Sequence, residues 1–253
     1  MIRNKKISLI LIISFAIIEI IFSFLPVTNS ATKIGMIKVS SSQDWVNSWG
    51  YNETDHGYSI ATDSNGNVYV AGDINEESVL NATIIKYDSN GILQWNRTWG
   101  GSSTERAYSI YVDDSDSIFI TGTSRSFNTS QDLFVAKYNS NGDLIWNSTW
   151  GGSNNDFGQD LIVDSLGNIL IVGTTSSFGI GGQDVLLLTF NSTGDFQDKR
   201  VWGGTLNDRA KSIVIDTLGN IYIMGETGSF GVGNSDVFLL KYNSSRSLKW
   251  NTT

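Results

Sequence analysis

From residue 45 onward the chain sets short apolar runs between clusters of Asp, Asn, Ser and Gly, such as SIFITG (117–122) and DLFVAKY (132–138) around SRSFNTSQ. Runs of this length, rich in Ile, Val, Phe and Tyr, predict β-strands. Many are continuous rather than alternating, Ile169 to Val172 and Val185 to Leu188 among them. A continuous apolar strand is covered on both faces. Turn chemistry separates the runs: DSNGN (63–67), DSLGN (164–168) and DTLGN (216–220) join a first strand to a second, and NSNGD (139–143) joins a third to a fourth. Tight hairpins follow from those residues.

The pattern repeats, and its spacing can be counted. Tryptophans at 49, 99, 150 and 202 are each followed after 6 residues by an acid, Asp55, Glu105, Asp156 or Asp208. A further 8 residues lead to Asp63, Asp113, Asp164 or Asp216, and 9 more to Gly72, Gly122, Gly173 or Gly225. From that glycine to Lys86, Lys137, Thr189 or Lys241 the interval is 14, 15, 16 or 16, so all the length variation lies in one segment. Four strands per repeat at a period near 50 residues predict an all-β fold, a β-propeller of about four four-stranded blades. The blades span about 45–94, 95–145, 146–197 and 198–249, with the start of a fifth after them.

The pattern W-x-x-x-W-G-G, D-x-A-x-S-I, D-x-x-G-N-I-Y-I-x-G and D-x-F-L-x-K-Y-N resembles the extracellular β-propeller repeat named for its seven-bladed members. It is similar, more loosely, to NHL-type blades. The resemblance covers 45–253 and implies no single activity. It places the S-I-x-x-D strand innermost and the W-N-x-T-W strand outermost. Two departures stand out: DDSDS (113–117) lacks the turn Gly-Asn, and Asp198 takes the place of the first tryptophan in the fourth copy. Counting in that frame gives outer strands at 44–50, 91–99, 143–150, 196–202 and 247–253, five for four blades. The ring is therefore expected to be incomplete or truncated and to associate with another copy or partner, a strained four-bladed monomer being the alternative.

The N-terminus reads differently. MIRNKK precedes about twenty residues broken only by Glu19, a basic region before an apolar one. Residues 1–30 are expected to be a signal peptide, or a signal anchor helix if uncut, with 31–44 a short lead. The domain then lies at the cell surface or outside the cell, touching membrane only through this segment. Losing Arg3, Lys5, Lys6 and Glu19 takes the formal charge from −8 to −10, which speaks against a nucleic-acid partner. No cysteine is present, so the domain rests on burial rather than disulfides.

Chemistry is sought where the repeat breaks. His56 is the only histidine, and a Ser-His-Asp arrangement would have to pass through it. No structural zinc site is expected from these residues. The Asp-rich turns resemble part of a calcium loop but lack its distal glutamate, so calcium is an option and no cofactor is required. Strand parity puts the variable segments (73–81, 123–131, 174–183, 226–235) on one face with Asp55, Glu105, Asp156 and Asp208. Those acids would cap locally or pair between blades, or else form an anionic rim that attracts cations or cationic groups. Phe127, Phe178 and Phe230, each five residues past a blade glycine, would anchor loops or stack on a sugar. Sequons at Asn52, Asn81, Asn96, Asn128, Asn147, Asn191, Asn243 and Asn251 are candidate N-glycosylation sites. The expected role is a non-catalytic recognition or scaffold module that binds glycan or protein through the variable-loop face. The alternatives are a propeller hydrolase or lyase using carboxylates at the channel mouth, and a structural segment of an adhesion assembly. Non-repeated polar residues gathered at one mouth would point toward the enzyme.

Overall fold

A computed structural model describes residues 37–38, 45–51, 53–76, 78–128 and 130–253. The expected signal segment lies outside them. Two short strands, β1 (Ile37–Lys38) and β2 (Trp45–Val46), pair with each other. Sixteen more strands then form four antiparallel four-stranded sheets, each built from consecutive strands. Blade 1 holds β3 to β6 (His56–Thr62, Val68–Glu76, Val79–Tyr87, Leu93–Trp99) and blade 2 holds β7 to β10 (Glu105–Val112, Ile118–Ser124, Asp132–Tyr138, Leu144–Trp150). Blade 3 holds β11 to β14 (Asp156–Val163, Ile169–Thr175, Asp184–Phe190, Phe196–Trp202), and blade 4 holds β15 to β18 (Asp208–Ile215, Ile221–Thr227, Asp236–Tyr242, Leu248–Thr252). Among the described residues there is no helix.

The hairpins form as their residues require. In seven of the eight an opening Asp or Asn accepts backbone N–H groups two and four residues on, as Asp164 does from Leu166 and Asn168 at 2.9 Å, and Asn243 accepts only the second, from Ser247. Gly167 then closes the turn with φ 78°, a conformation that costs glycine nothing. The DDSDS turn, which has no glycine, puts Asp116 there instead at φ 57°. Aspartate tolerates the left-handed region because its short side chain bonds locally.

Every inner pair of strands carries a β-bulge at one place: after Gly57, Ala107, Gly158 and Ala210. The bulge drives the carbonyl of the preceding residue against the blade glycine. A Cβ built on Gly72, Gly122, Gly173 or Gly225 would sit 1.9, 1.8, 1.7 or 2.0 Å from that oxygen. This clash is why the position reads glycine in all four copies.

Blades meet through two recurring faces. Tyr69, Ala71, Ala82 and Ile84 of blade 1 pack on Ile118, Ile120, Phe134 and Ala136 of blade 2. Leu170, Val172, Val185 and Leu187 of blade 3 pack in the same way on Ile221, Ile223, Phe238 and Leu240 of blade 4. The innermost strands β3, β7, β11 and β15 lie in sequence along the axis, and the arc does not close between β15 and β3. Burial shows the opening. Strands β8 and β12 are buried along their whole length, whereas β16 alternates between buried and partly exposed positions. Ile60 of blade 1 is 68% exposed, while its counterparts Ile110, Leu161 and Ile213 are 6%, 4% and 4%.

Candidate functional site

The paired tryptophans and the WGG turns prove to be junction parts. Trp99, Trp150 and Trp202, each closing a blade, pack with tilted rings against Phe127, Phe178 and Phe230 of the next blade at 5.3, 5.0 and 5.0 Å between ring centroids. These three phenylalanines, though partly open to solvent, are thus positioned as anchors of their loops. The repeated acids cap the turn that enters each blade. Tyr51, Gly101, Gly152 and Gly204 donate their backbone N–H to Asp55, Glu105, Asp156 and Asp208, four residues on. Glu105, Asp156 and Asp208 have no exposed surface. Each is closed further by hydroxyls of its own loop, Ser126 on Glu105, Ser177 on Asp156 and Ser229 on Asp208. The four acids share one face of the arc without meeting. Turn acids such as Asp63 and Asp216 likewise spend their oxygens on their own hairpins.

At the blade 3 to blade 4 junction a second carboxyl joins the capping acid. A Cβ on Gly203 would contact both Asp184 and Asp208, which places the two side chains together. Burial, with the Asp208 charge adding to it and a bond from the Ile180 N–H opposing it, pushes the Asp184 carboxyl above its usual range. A raised value in the fold means that the group favours folding below the ordinary carboxylate pKa. That contribution is lost as pH rises through the raised value. Asp184→Asn should therefore match the parent in melting temperature near about pH 3 and exceed it at neutral pH. A constant difference across a pH series of thermal melts would refute this.

A separate polar cluster sits on blade 1, where blade 4 carries only a looser, more exposed pair at the same register, Arg209 with Glu226 at 3.5 Å. Asp73 follows the blade glycine, where the other copies carry Thr123, Thr174 and Glu226. It lies opposite His56 in the β3–β4 register and is 1% exposed. His56 Nδ1 lies 2.9 Å from Asp73 Oδ1, and Tyr58 Oη and Arg106 Nε donate to Oδ2 at 2.9 and 3.1 Å. An acceptor carboxylate sets the imidazole tautomer, leaving Nε2 free of this contact. Tyr58 is the extra residue of the β3 bulge, and Tyr108 is its equivalent in β7. Bulges re-aim side chains, and here they set the two rings edge to face at 5.1 Å with His56 stacked on Tyr58 at 5.7 Å. Burial first, and then its bond to Asp73, push the Tyr58 hydroxyl up to about 12, so at neutral pH it is a donor. The side chains of His56 and Arg106 remain 47% and 32% exposed.

A third polar group lies deeper along the inner strands. Asp160 of β11 accepts from Ser109 of blade 2 at 2.8 Å and from Ser212 of blade 4 at 2.8 Å. The backbone N–H groups of Leu161 and Ile213 complete its shell at 2.9 and 3.1 Å. One carboxylate thereby ties three blades.

The sequons scatter. Asn96, Asn147 and Asn251 are exposed on outer strands, Asn81 is half-buried at the start of blade 1's third strand, and Asn191 and Asn243 open hairpins. Asn128 donates to Asp132, and Asn52 lies outside the described residues. Among the described residues no group of three or more His, Cys, Asp or Glu side chains is arranged to hold a metal.

No curated protein matches the sequence. Among solved structures the chain is similar to a gluconolactonase from Xanthomonas campestris, with 11% identity and a TM-score of 0.44 over 75% of this chain and 59% of that one. It is similar to an α-L-arabinofuranosidase from Clostridium thermocellum at 17% identity and a TM-score of 0.44, covering 76% and 70%. A glucose dehydrogenase matches at 12% identity and a TM-score of 0.46, covering 75% and 61%. The chain thus spans about three fifths of the length of the first and last of these. Residues 49–78, 149–179 and 201–231 match the family profile described as a β-propeller repeat. Residues 115–144 match that of a β-propeller domain of unknown function. With all four blades touched by one profile or the other, the chain belongs among the β-propeller repeat proteins.

Proposed function

We propose that this is an exported recognition module that binds carboxylate-bearing glycans at the blade 1 to blade 2 mouth, on the variable-loop face. The observation that carries the reading is Asp73, buried and fully engaged. Its three donors cannot turn away from it, so the outer surfaces of His56, Tyr58 and Arg106 are held in one arrangement before any ligand arrives. Such preorganisation reduces the ordering cost of binding. Tyr58 and Tyr108 supply aromatic area with polar tips. Arg106 spends Nε on Asp73 and sets its guanidinium beside the Tyr108 side chain, so that the two together would receive a planar anion.

On an array of acidic and neutral oligosaccharides, uronate-containing glycans should be retained. Arg106→Ala should weaken them by roughly tenfold or more, the scale of one charge-assisted pair. Asp73→Asn should do the same by loosening all three donors. Retention of no glycan, or retention indifferent to Arg106→Ala and Tyr108→Ala alike, would overturn the reading.

The cluster breaks the repeat at one mouth, and the His56–Asp73 pair favours a second reading, a glycan hydrolase or lyase with His56 as its base. Tyr58 does not serve as a base, because its hydroxyl stays protonated at neutral pH. Only one carboxyl sits in the cluster, and it is already saturated. New reducing ends or an unsaturated, ultraviolet-absorbing product from a bound glycan would establish catalysis over binding alone.

A further inference from the structure

The bulge on each inner strand leaves one residue outside the ladder: Tyr58, Tyr108, Gln159 and Lys211. The blade fixes this position without choosing its occupant. The residue before it is Gly or Ala and the residue after it Ser or Asp in every copy, while the bulged residue itself reads Tyr, Tyr, Gln and Lys. Bulges are a recurrent means of turning a side chain toward a site.

Contacts one residue further on hold the four in a row. Ser59 Oγ accepts the Ile110 N–H at 3.3 Å, and Asp160 takes the Ser109 and Ser212 hydroxyls at 2.8 Å each, so a polar belt crosses all four blades. The bulged residues lie directly beside that belt. At the first step their side chains meet, the rings of Tyr58 and Tyr108 edge to face at 5.1 Å. Tyr108 and Gln159 keep part of their surface open although a blade flanks each on both sides, so exposure at this position comes from the bulge rather than from an unfilled neighbour.

The row runs from aromatic to cationic. Its first two places are Tyr58 and Tyr108, with the Arg106 guanidinium beside them. Its last holds Lys211 and, next to it, Arg209, which share one carboxylate, Glu226, at 3.5 Å each. All three side chains are 40% or more exposed, so these pairs are loose, and two cations on one acid leave a positive charge unbalanced. Arg209 is steadied by Gln183 of blade 3, whose Oε1 accepts its Nε at 2.6 Å. Between the ends Gln159 offers an amide, donor and acceptor at once. Cations two blades apart suit a chain that carries several carboxylates better than a single acidic sugar.

We infer, building on the glycan reading, that the ligand is a linear oligouronate lying across the mouth from blade 1 to blade 4. One sugar lies on Tyr58 and Tyr108 with its carboxylate at Arg106, the chain passes Gln159, and a later carboxylate meets Lys211. Contacts strung along one ligand raise affinity with length until the row is filled.

Calorimetric titration of the full chain, in a mild detergent, with oligogalacturonates from disaccharide to hexasaccharide tests it, at about 0.15 M salt so that distant charges are screened. Affinity should rise by roughly tenfold or more from the shortest to the longest. Lys211→Ala should weaken the hexasaccharide about fivefold and leave the disaccharide unchanged, and Lys211→Arg should keep the parent affinity. Arg106→Ala should weaken both ligands. Lys249→Ala, which removes an equal charge from the exposed outer strand of the same blade, should change neither. Lys211 is 50% exposed, so its variants should melt with the parent. Equal affinity at every length, or a hexasaccharide indifferent to Lys211→Ala yet weakened by Arg106→Ala, would overturn the row and leave the single site standing. A loss in Lys249→Ala equal to that in Lys211→Ala would reduce the effect to net charge and overturn it as well. Binding of no oligomer, or binding indifferent to Arg106→Ala and Tyr108→Ala alike, would remove the row and the glycan reading together.

Discussion

Alanine in place of Gly173 is expected to remove at least about 3 kcal/mol of stability, the upper range for forcing extra volume into a packed core. The added methyl would lie 1.7 Å from the Phe157 carbonyl oxygen. That oxygen is backbone, fixed by the bulge, and β12 is buried on both sides. Nothing nearby can yield without breaking the ladder. Gly57→Ala is the matched control, since a Cβ there makes an ordinary contact with Val70 at 3.5 Å and the equivalent residues are Ala107 and Ala210. It should stay within about 0.5 kcal/mol of the parent. Urea unfolding of the two variants checks both statements, and a loss under about 1 kcal/mol at Gly173 would show that the bulge is soft.

Asp160→Ala should cost about 2 to 3 kcal/mol, because it strands donors rather than merely deleting a bond. Ser109 is 4% exposed, so its hydroxyl has little water to turn to once the carboxylate is gone. Asp160→Ser should fall between the two, since serine is what the other blades carry here and Ser59 Oγ accepts a single bond from the Ile110 N–H at 3.3 Å. The tie between blades 2 and 3 can be isolated by a double-mutant cycle of Asp160→Ala with Ser109→Ala. Additive losses would mean that the carboxylate and the hydroxyl are not coupled.

Most of the architecture was legible because it is written locally. The opening Asp or Asn of each hairpin acts within five residues, and the continuous apolar runs of β8 and β12 announce strands covered on both sides. The surplus outer strand at 44–50 foretold an open arc, and Trp45 does occupy an outer strand's place over Gly91. The polar cluster was not legible in the same way. Asp73 and Arg106 are 33 residues apart on different blades, and Tyr58 is brought to them by a bulge that shifts the side-chain alternation by one. Period-two reading cannot see that shift. One trace was available: directly after a glycine that is constant in all four copies, the sequence reads Asp, Thr, Thr and Glu. The capping acids mislead in the opposite direction. Their regular spacing suggests a shared charged surface, whereas each is consumed by the turn four residues before it.

The identical construction of the junctions also bears on how such a chain can change in length. A blade inserted or lost between any two tryptophans brings or removes one forward face and one backward face together, so the remaining partners still fit. The heritable unit is then the interval from one Trp-Gly turn to the next rather than the whole domain. Recombination at those turns can lengthen or shorten the array without designing a new contact, while substitutions such as Asp73, which the repeat does not demand, are where one copy can diverge from its sisters.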